Sequence, residues 1–293
     1  MLKFKGLYTA LVTPFDSNGL IDFKALELLL SKQIEAQVDG VVAIGTTAES
    51  PTLTSEEYKE VIRFIKKHIT GKCRLIVGSG SNATAKSVEK SRIAEDLGAD
   101  GVLIVNPYYN KPSQDGLYAH FITIADSIDI PVMLYNHPGR TGVNIANNTL
   151  SRLIQHKNII SLKEANDDMG QVLSNIQIAG NNFSVLSGND NLTYSTIISG
   201  GHGVISVVSN LLPKETKKMV DLAMSGKFQE SQKIHYKMLK LMNALGSFGN
   251  PVAVKTLLAS QGYILEKFRL PLVSLSQSLK QELINIFEEY KNG

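Results

Sequence analysis

The sequence predicts an α/β protein, a (β/α)8 TIM barrel with a C-terminal helical extension. Short runs rich in Val and Ile alternate with longer amphipathic stretches, the pattern of βαβ units and a parallel sheet. The runs number about eight, the count that closes a barrel. The chain has 293 residues with no Ser/Gly/Pro-rich linker, low-complexity tract or clear repeat, which suits a barrel folding as one unit.

The strand-like runs begin near Leu7 (LYTALV), Val41 (VVAIG), Leu75 (LIVGSG), Val102 (VLIVN), Pro131 (PVMLYN), Ile159 (IISLKE), Phe183 (FSVLSG) and Gly203 (GVISVV). Between them, segments such as 22–37, 55–68, 84–97 and 113–127 have helical periodicity. Several open on Asp, Ser or Thr, whose side-chain oxygens accept from a helix's first free N–H groups. From residue 213 onward the pattern is helical and too long for one closing helix. We therefore expect a barrel over 1–212 and, over 213–293, a helical extension packed on it.

Hydrophobic residues make up 43% of the chain and charged residues 19%, enough apolar side chain for a large core, which excludes a disordered protein. The net charge of +3 comes from 30 basic and 27 acidic residues that are scattered along the chain, so no nucleic-acid face is expected. The opening stretch MLKFKGLYTALVTPFD is interrupted by Pro14, and no run approaches membrane-spanning length. Its single cysteine, Cys73, fits a reducing compartment. These features predict a cytoplasmic protein with no membrane partner. The six histidines lack metal-ligand spacing, so no metal is expected; no organic cofactor is expected either.

A βα barrel places its chemistry at the C-terminal ends of its strands. Those ends carry Thr46 and Thr47, the Gly78 to Asn82 stretch, Asn106 to Tyr109, Tyr135 and Asn136, Lys163 and Glu164, Ser187 to Asp190, and Ser206. In IISLKEA, Lys163 ends a strongly apolar strand. A desolvated amine gives up its proton more readily and can then attack a carbonyl to form a Schiff base. The other reading of Lys163 is an ion pair with a carboxylate such as Glu164.

In YNHPGRTG, Tyr135 ends a strand and a Pro-Gly turn presents Arg140. A phenol there can carry protons and a guanidinium can hold a carboxylate by two hydrogen bonds, although a core tyrosine and a surface arginine would read the same way. His137, between them, reads as a turn residue at the site mouth. In GTTAES, the N–H groups and hydroxyls of Thr46 and Thr47 could receive a small anion, or the loop is a solvated turn. GSGSNA matches a dinucleotide fingerprint, but the next strand, VLIVNPYY, lacks the acidic residue that reading needs.

With these motifs in hand, the chain resembles the dihydrodipicolinate synthase family, within the pyruvate-dependent class I aldolases that include N-acetylneuraminate lyase. GTTAES, PYYNKPSQDGLYAHF, YNHPGRTG, IISLKEA, LSGND and GGHGVISV occur in order and correctly spaced. The resemblance implies that Lys163 forms a Schiff base with pyruvate and that Tyr135 donates and accepts the proton. It also implies that Thr46 and Tyr109 relay that proton to solvent, with Tyr109 entering from a neighbouring subunit of a homo-oligomer, a dimer or a dimer of dimers. Thr46 and Thr47 would hold the pyruvate carboxylate and Arg140 the carboxylate of the second substrate, with main-chain carbonyls of Gly188 and Ile205 nearby.

The activity so implied condenses pyruvate with aspartate 4-semialdehyde to 4-hydroxy-tetrahydrodipicolinate, in diaminopimelate and lysine biosynthesis. The alternative is a sugar-acid lyase of the same group, but Arg140 and the paired tyrosines of PYYN resemble the synthase branch. Two residues depart from the family pattern near the site, Ala48 for a glycine and His137 for an apolar residue. A third departure lies where many members bind inhibitory lysine: Ser50, Asn82 and Tyr108 fit that regulatory site, but Lys86 stands where a glutamate is usual. Ser55 and Tyr58 replace its histidines. A cation facing a cationic ligand repels it, so feedback inhibition by lysine is expected to be weak or absent.

Overall fold

The computed structural model describes residues 4–292. The first three residues of the expected barrel span and the last of the extension lie outside the described residues. Eight parallel strands close into one barrel in sequence order. They are β1 (Gly6–Ala10), β2 (Gly40–Ala43), β3 (Arg74–Gly78), β4 (Gly101–Val105), β5 (Val132–Asn136), β6 (Ile159–Glu164), β7 (Ser184–Ser187) and β8 (Gly203–Ser206). Each coincides with one of the eight apolar runs, because a strand buried on both faces needs apolar residues on both.

The outer layer follows the same alternation, with α1 (Phe23–Glu35), α2 (Ser55–Ile69), α3 (Thr84–Asp96), α4 (Gln114–Ala125), the one-turn α5 (Pro138–Thr141), α6 (Asn147–Leu153), α7 (Met169–Ala179) and α8 (Thr193–Ile198). Asp22 caps α1 by accepting from Ala25 N at 2.9 Å, and Ser113 caps α4. Thr54 and Glu57 form a reciprocal capping box at the start of α2. Thr84 does not cap α3: Ala83 holds that position, and the Thr84 hydroxyl bonds His120 Nδ1 at 2.9 Å.

The core has two shells. Inside the barrel, alternate residues from successive strands, among them Tyr8, Val42, Ile76, Leu103, Met133, Leu186 and Ile205, fill the axis. Between strands and helices lies the larger shell, which includes Leu29, Ile62, Leu75, Phe121, Leu162 and Val220. The chain continues with α9 (Pro213–Met224), α10 (Phe228–Ser247), α11 (Val252–Ser260) and α12 (Gln277–Asn292). Of these, α9 packs on β1 and β8, where the barrel closes. None of the described helices is long and apolar enough to cross a membrane.

One irregularity in the sheet decides the chemistry. The β5–β6 register begins at Val132↔Ile159 but continues at Met133↔Ser161, so β6 carries one extra residue there. Simple alternation would put Ile159, Ser161 and Lys163 on one face, that of Ile159, which belongs to the outer shell. The extra residue reverses the phase, and Lys163 becomes the cross-strand partner of Tyr135, on the barrel's inner face.

Candidate active site

A cavity of about 570 Å³ opens at the C-terminal ends of the strands. Lys163, Tyr135, Arg140, Thr46, Thr47 and Gly188 all line it. Lys163 is only 7% exposed and its Nζ sits 4.2 Å from the centre of the Tyr135 ring. Among the described residues it has no ion pair. Glu164 points to the other side of the strand, where it accepts from Asn136, Asn166 and Asn175. The ion-pair reading of Lys163 therefore fails on geometry: neighbours along a strand face opposite ways.

Thr46 to Ala48 make one 3₁₀ turn after β2. Glu49 ends that turn in the left-handed region, at φ 55°. Its carboxylate is fully buried and accepts from Lys255 Nζ at 2.6 Å and from Arg269 N at 3.0 Å. Burial pulls the Lys255 ammonium below its ordinary pKa, and the Glu49 charge opposes that fall. Ala48 is buried and its φ is not positive, so its Cβ introduces no backbone strain.

Gly188 is required by close approach. Its N–H donates to Glu164 O at 2.6 Å, and a Cβ there would lie 2.6 Å from the Ala165 Cβ. Next to it, Asp190 Oδ2 accepts from the amides of Val207 and Val208, both at 2.9 Å. Burial raises the Asp190 pKa, and the Lys163 charge works against that rise. His137 also lines the wall, its ring 5.9 Å from that of Tyr135. Burial pushes its pKa down to about 4, helped by the charges of Arg140 and Lys163, so the imidazole is neutral at pH 7.

Arg140 is exposed at the rim. Its one described hydrogen bond goes to the Asn250 carbonyl at 3.2 Å, and it forms no ion pair among the described residues. Asn250 also donates through Nδ2 to Thr47 Oγ1 at 3.0 Å. The extension thus supplies Met242, Asn243, Leu245, Gly246, Ser247 and Asn250 to the cavity. Sequence reasoning missed all six, and also Glu49 and Lys255. The signals it passed over were a lysine within the apolar run VAVKTLL and a Gly-Asn-Pro break before it.

Two expected site residues lie apart from the cavity. Ile205 is fully buried in the barrel axis. Tyr109 is 89% exposed, with a left-handed backbone at φ 75°. The expected regulatory group is spread over the neighbouring surface. Lys86 is exposed on α3, and burial followed by the Lys86 charge lowers the pKa of Lys90. Tyr108 is exposed, and the Asn82 carbonyl accepts from Asn110 Nδ2 at 2.8 Å. In GSGSNA close packing accounts for two glycines: a Cβ on Gly78 would meet Ile44 O, and one on Gly80 would meet Val105 N.

A desolvated lysine facing a phenol inside an eightfold barrel, with a free cation at the rim, defines a protein of the lysine-dependent aldolase class. The chain belongs to the dihydrodipicolinate synthetase family, whose model matches residues 3–290. The 4-hydroxy-tetrahydrodipicolinate synthase of Methanocaldococcus jannaschii is 46% identical over 98% of each chain. The structure of the synthase from Methylacidiphilum fumariolicum SolV superposes with a TM-score of 0.97 at 43% identity, covering 99% of this chain and 97% of that one. The dihydrodipicolinate synthase of Acinetobacter baumannii, solved complexed with pyruvate, superposes at 0.96 with 36% identity, covering 98% and 99%.

Proposed function

We propose that this chain condenses pyruvate with aspartate 4-semialdehyde to give 4-hydroxy-tetrahydrodipicolinate. The observation that carries the reading is the buried Lys163 amine beside Tyr135, without an ion pair among the described residues. The neutral amine attacks the pyruvate ketone, Tyr135 gives the proton with which water leaves, and a protonated imine remains. That cation draws electrons from the methyl carbon, a proton leaves to Tyr135, and an enamine forms. The enamine carbon bonds to the aldehyde carbon of the second substrate, whose oxygen takes up a proton. The substrate's amine then displaces Lys163 from the imine carbon, closing the ring and freeing the lysine.

Each carboxylate has a fixed receiver. Thr46 and Thr47, presented on the 3₁₀ turn, suit the short pyruvate carboxylate. Arg140, held through Asn250, suits the carboxylate of the semialdehyde. The comparisons support the synthase and not the sugar-acid lyase. Gly188 and Ile205 would act through main-chain carbonyls.

Tyr109 makes the site incomplete within one chain. A tyrosine at positive φ and 89% exposure is costly to hold out in water, and the reading places it in a partner's cavity, as relay between Tyr135, Thr46 and solvent. We place the enzyme in the cytoplasm as a homo-oligomer, in keeping with the unpaired Cys73. The deciding experiment mixes pyruvate and aspartate 4-semialdehyde and detects product with an NADPH-dependent reductase. No turnover, with pyruvate still trapped by borohydride, would move the activity to another aldolase acceptor.

A further inference from the structure

Behind the β5–β6 wall, on the face opposite Lys163 and Tyr135, lies a buried polar chain that the condensation does not itself use. Asn136 Nδ2 donates to both oxygens of Glu164 at 3.0 Å and to Asn144 Oδ1 at 2.7 Å. Asn136 Oδ1 accepts from Asn106 Nδ2 at 2.9 Å and from Ile145 N at 3.1 Å. Glu164 accepts from Asn175 Nδ2 at 2.6 Å and from Asn166 N at 2.9 Å. Asn106, Asn136, Glu164 and Asn175 are each no more than 2% exposed. The chain therefore ties the ends of β4, β5 and β6 to α7.

Every group that meets the Glu164 carboxylate is a neutral N–H donor, from β5, α7 and the turn after β6. Among the described residues no cation shares its site, and burial pushes its pKa up to about 7. A buried carboxylate without a counter-ion opposes folding relative to an apolar side chain of similar volume. Its placement suggests what offsets that. Asn136↔Glu164 is the register pair immediately after Tyr135↔Lys163, beyond the extra residue that reverses the phase of β6. Slipping β6 back by one residue would turn Lys163 out of the cavity, and it would also break this carboxylate–amide pair.

We propose that Glu164 and Asn136 are positioning residues, a clamp behind the barrel wall that fixes the register and separation of Lys163 and Tyr135 on its front. The proposal rests on the roles given above to those two residues. The clamp extends to the substrate-binding rim, since Asn106 also donates to Val143 O at 3.0 Å and Asn136 holds Ile145, both just after Arg140. A lost clamp loosens the attack geometry while the Thr46–Ala48 turn, carried by β2, still receives pyruvate, so the loss falls on kcat more than on KM for pyruvate.

Glu164→Gln is the test, because its new amide presents N–H to a ring of N–H donors while keeping size and shape. The folded variant should lose about tenfold to a hundredfold in kcat, with KM for pyruvate changed less than about threefold. In Asn136→Asp/Glu164→Gln the amide and carboxylate exchange places, and kcat should recover at least about fivefold over the single variant. Single-variant kcat within about twofold of wild type, a loss confined to KM, or no recovery in the double variant overturns the clamp. If Glu164→Gln does not fold, Asn175→Ala decides. It removes a donor on α7 away from the cavity and should lower kcat at unchanged KM; an unaltered kcat overturns the proposal. Borohydride trapping of pyruvate by the wild type separates the two readings: absent trapping overturns the aldolase reading and the clamp with it, whereas intact trapping with unaltered variants overturns the clamp alone.

Discussion

Lys255→Met should both destabilise the fold and weaken pyruvate binding, because one buried ion pair joins the extension to the carboxylate-binding turn. The Lys255 ammonium is fully buried; it donates to Glu49 at 2.6 Å and to the Thr13 carbonyl at 3.1 Å, and lies 4.4 Å from the centre of the Phe15 ring. Methionine fills much of the same volume but leaves the Glu49 carboxylate with only the Arg269 amide. Stranding a buried charge in this way costs about 3–5 kcal/mol. A chain of 293 residues unfolds with an entropy of about 0.6 kcal/mol/K, so the expected fall in Tm is about 5–8 °C.

The kinetic consequence follows from where Glu49 sits. It closes the Thr46–Ala48 turn in a left-handed conformation, and without its anchor the turn is free to relax. Losing one hydrogen bond to the pyruvate carboxylate is worth about 1.5–3 kcal/mol, or about tenfold or more in KM for pyruvate. Thermal melts followed by circular dichroism and steady-state kinetics read the two effects. The control is Glu49→Gln/Lys255→Met, which removes both charges and should regain more than about half of the lost Tm. A single variant melting within about 1 °C of wild type, or a double variant no better than the single, refutes the reasoning.

Lys163→Ala should abolish borohydride trapping of pyruvate, while Arg140→Ala should spare it and raise KM for the semialdehyde about tenfold to a hundredfold; trapping in the lysine variant would show that the nucleophile is misassigned. Lysine should leave the wild type uninhibited at submillimolar concentration, since Lys86 and the nearby Lys90 present positive charge to a cationic ligand; inhibition in that range contradicts the electrostatic argument. Stability should fall on acidification from about pH 6.5 to about 4, because burial lowers the native pKa of His120 and His137 to about 4 and the unfolded chain binds the protons. Glu164 acts in the opposite sense between its ordinary 4.5 and about 7, where the native state holds the proton. His137→Val should therefore flatten the decline of Tm between those limits, and an unchanged slope refutes its share.

The alternation of strand and helix was legible because a barrel strand buries both faces and an outer helix only one. Tyr135, Arg140 and the threonines were legible for a related reason: polar residues directly after an apolar run mark the barrel's reactive end. Lys163 was found at the right place, but its direction was not readable. Strict alternation from Ile159 points it outward, and only the extra residue in β6 turns it inward. The Lys255–Glu49 pair was invisible for a different reason. Its partners stand 206 residues apart, and neither residue's surroundings announce the other.

The charges around the cavity also bear on why a neutral imidazole suits the position of His137. Two carboxylate-bearing substrates must be drawn in, and Lys163 and Arg140 supply positive charge for them. A third cation in the same cavity would raise the cost of making the iminium. His137 shares the cavity wall with them without adding that charge, since burial and those same two cations keep a proton off it. Its Nδ1 is closed to solvent and has no hydrogen-bond partner among the described residues, which leaves the ring acting as apolar volume on that side. The imidazole thus replaces a hydrophobic wall at neutral pH. Below about pH 4 the same ring would gain charge and oppose the iminium, so the cost to chemistry should appear only where the fold itself is already losing stability.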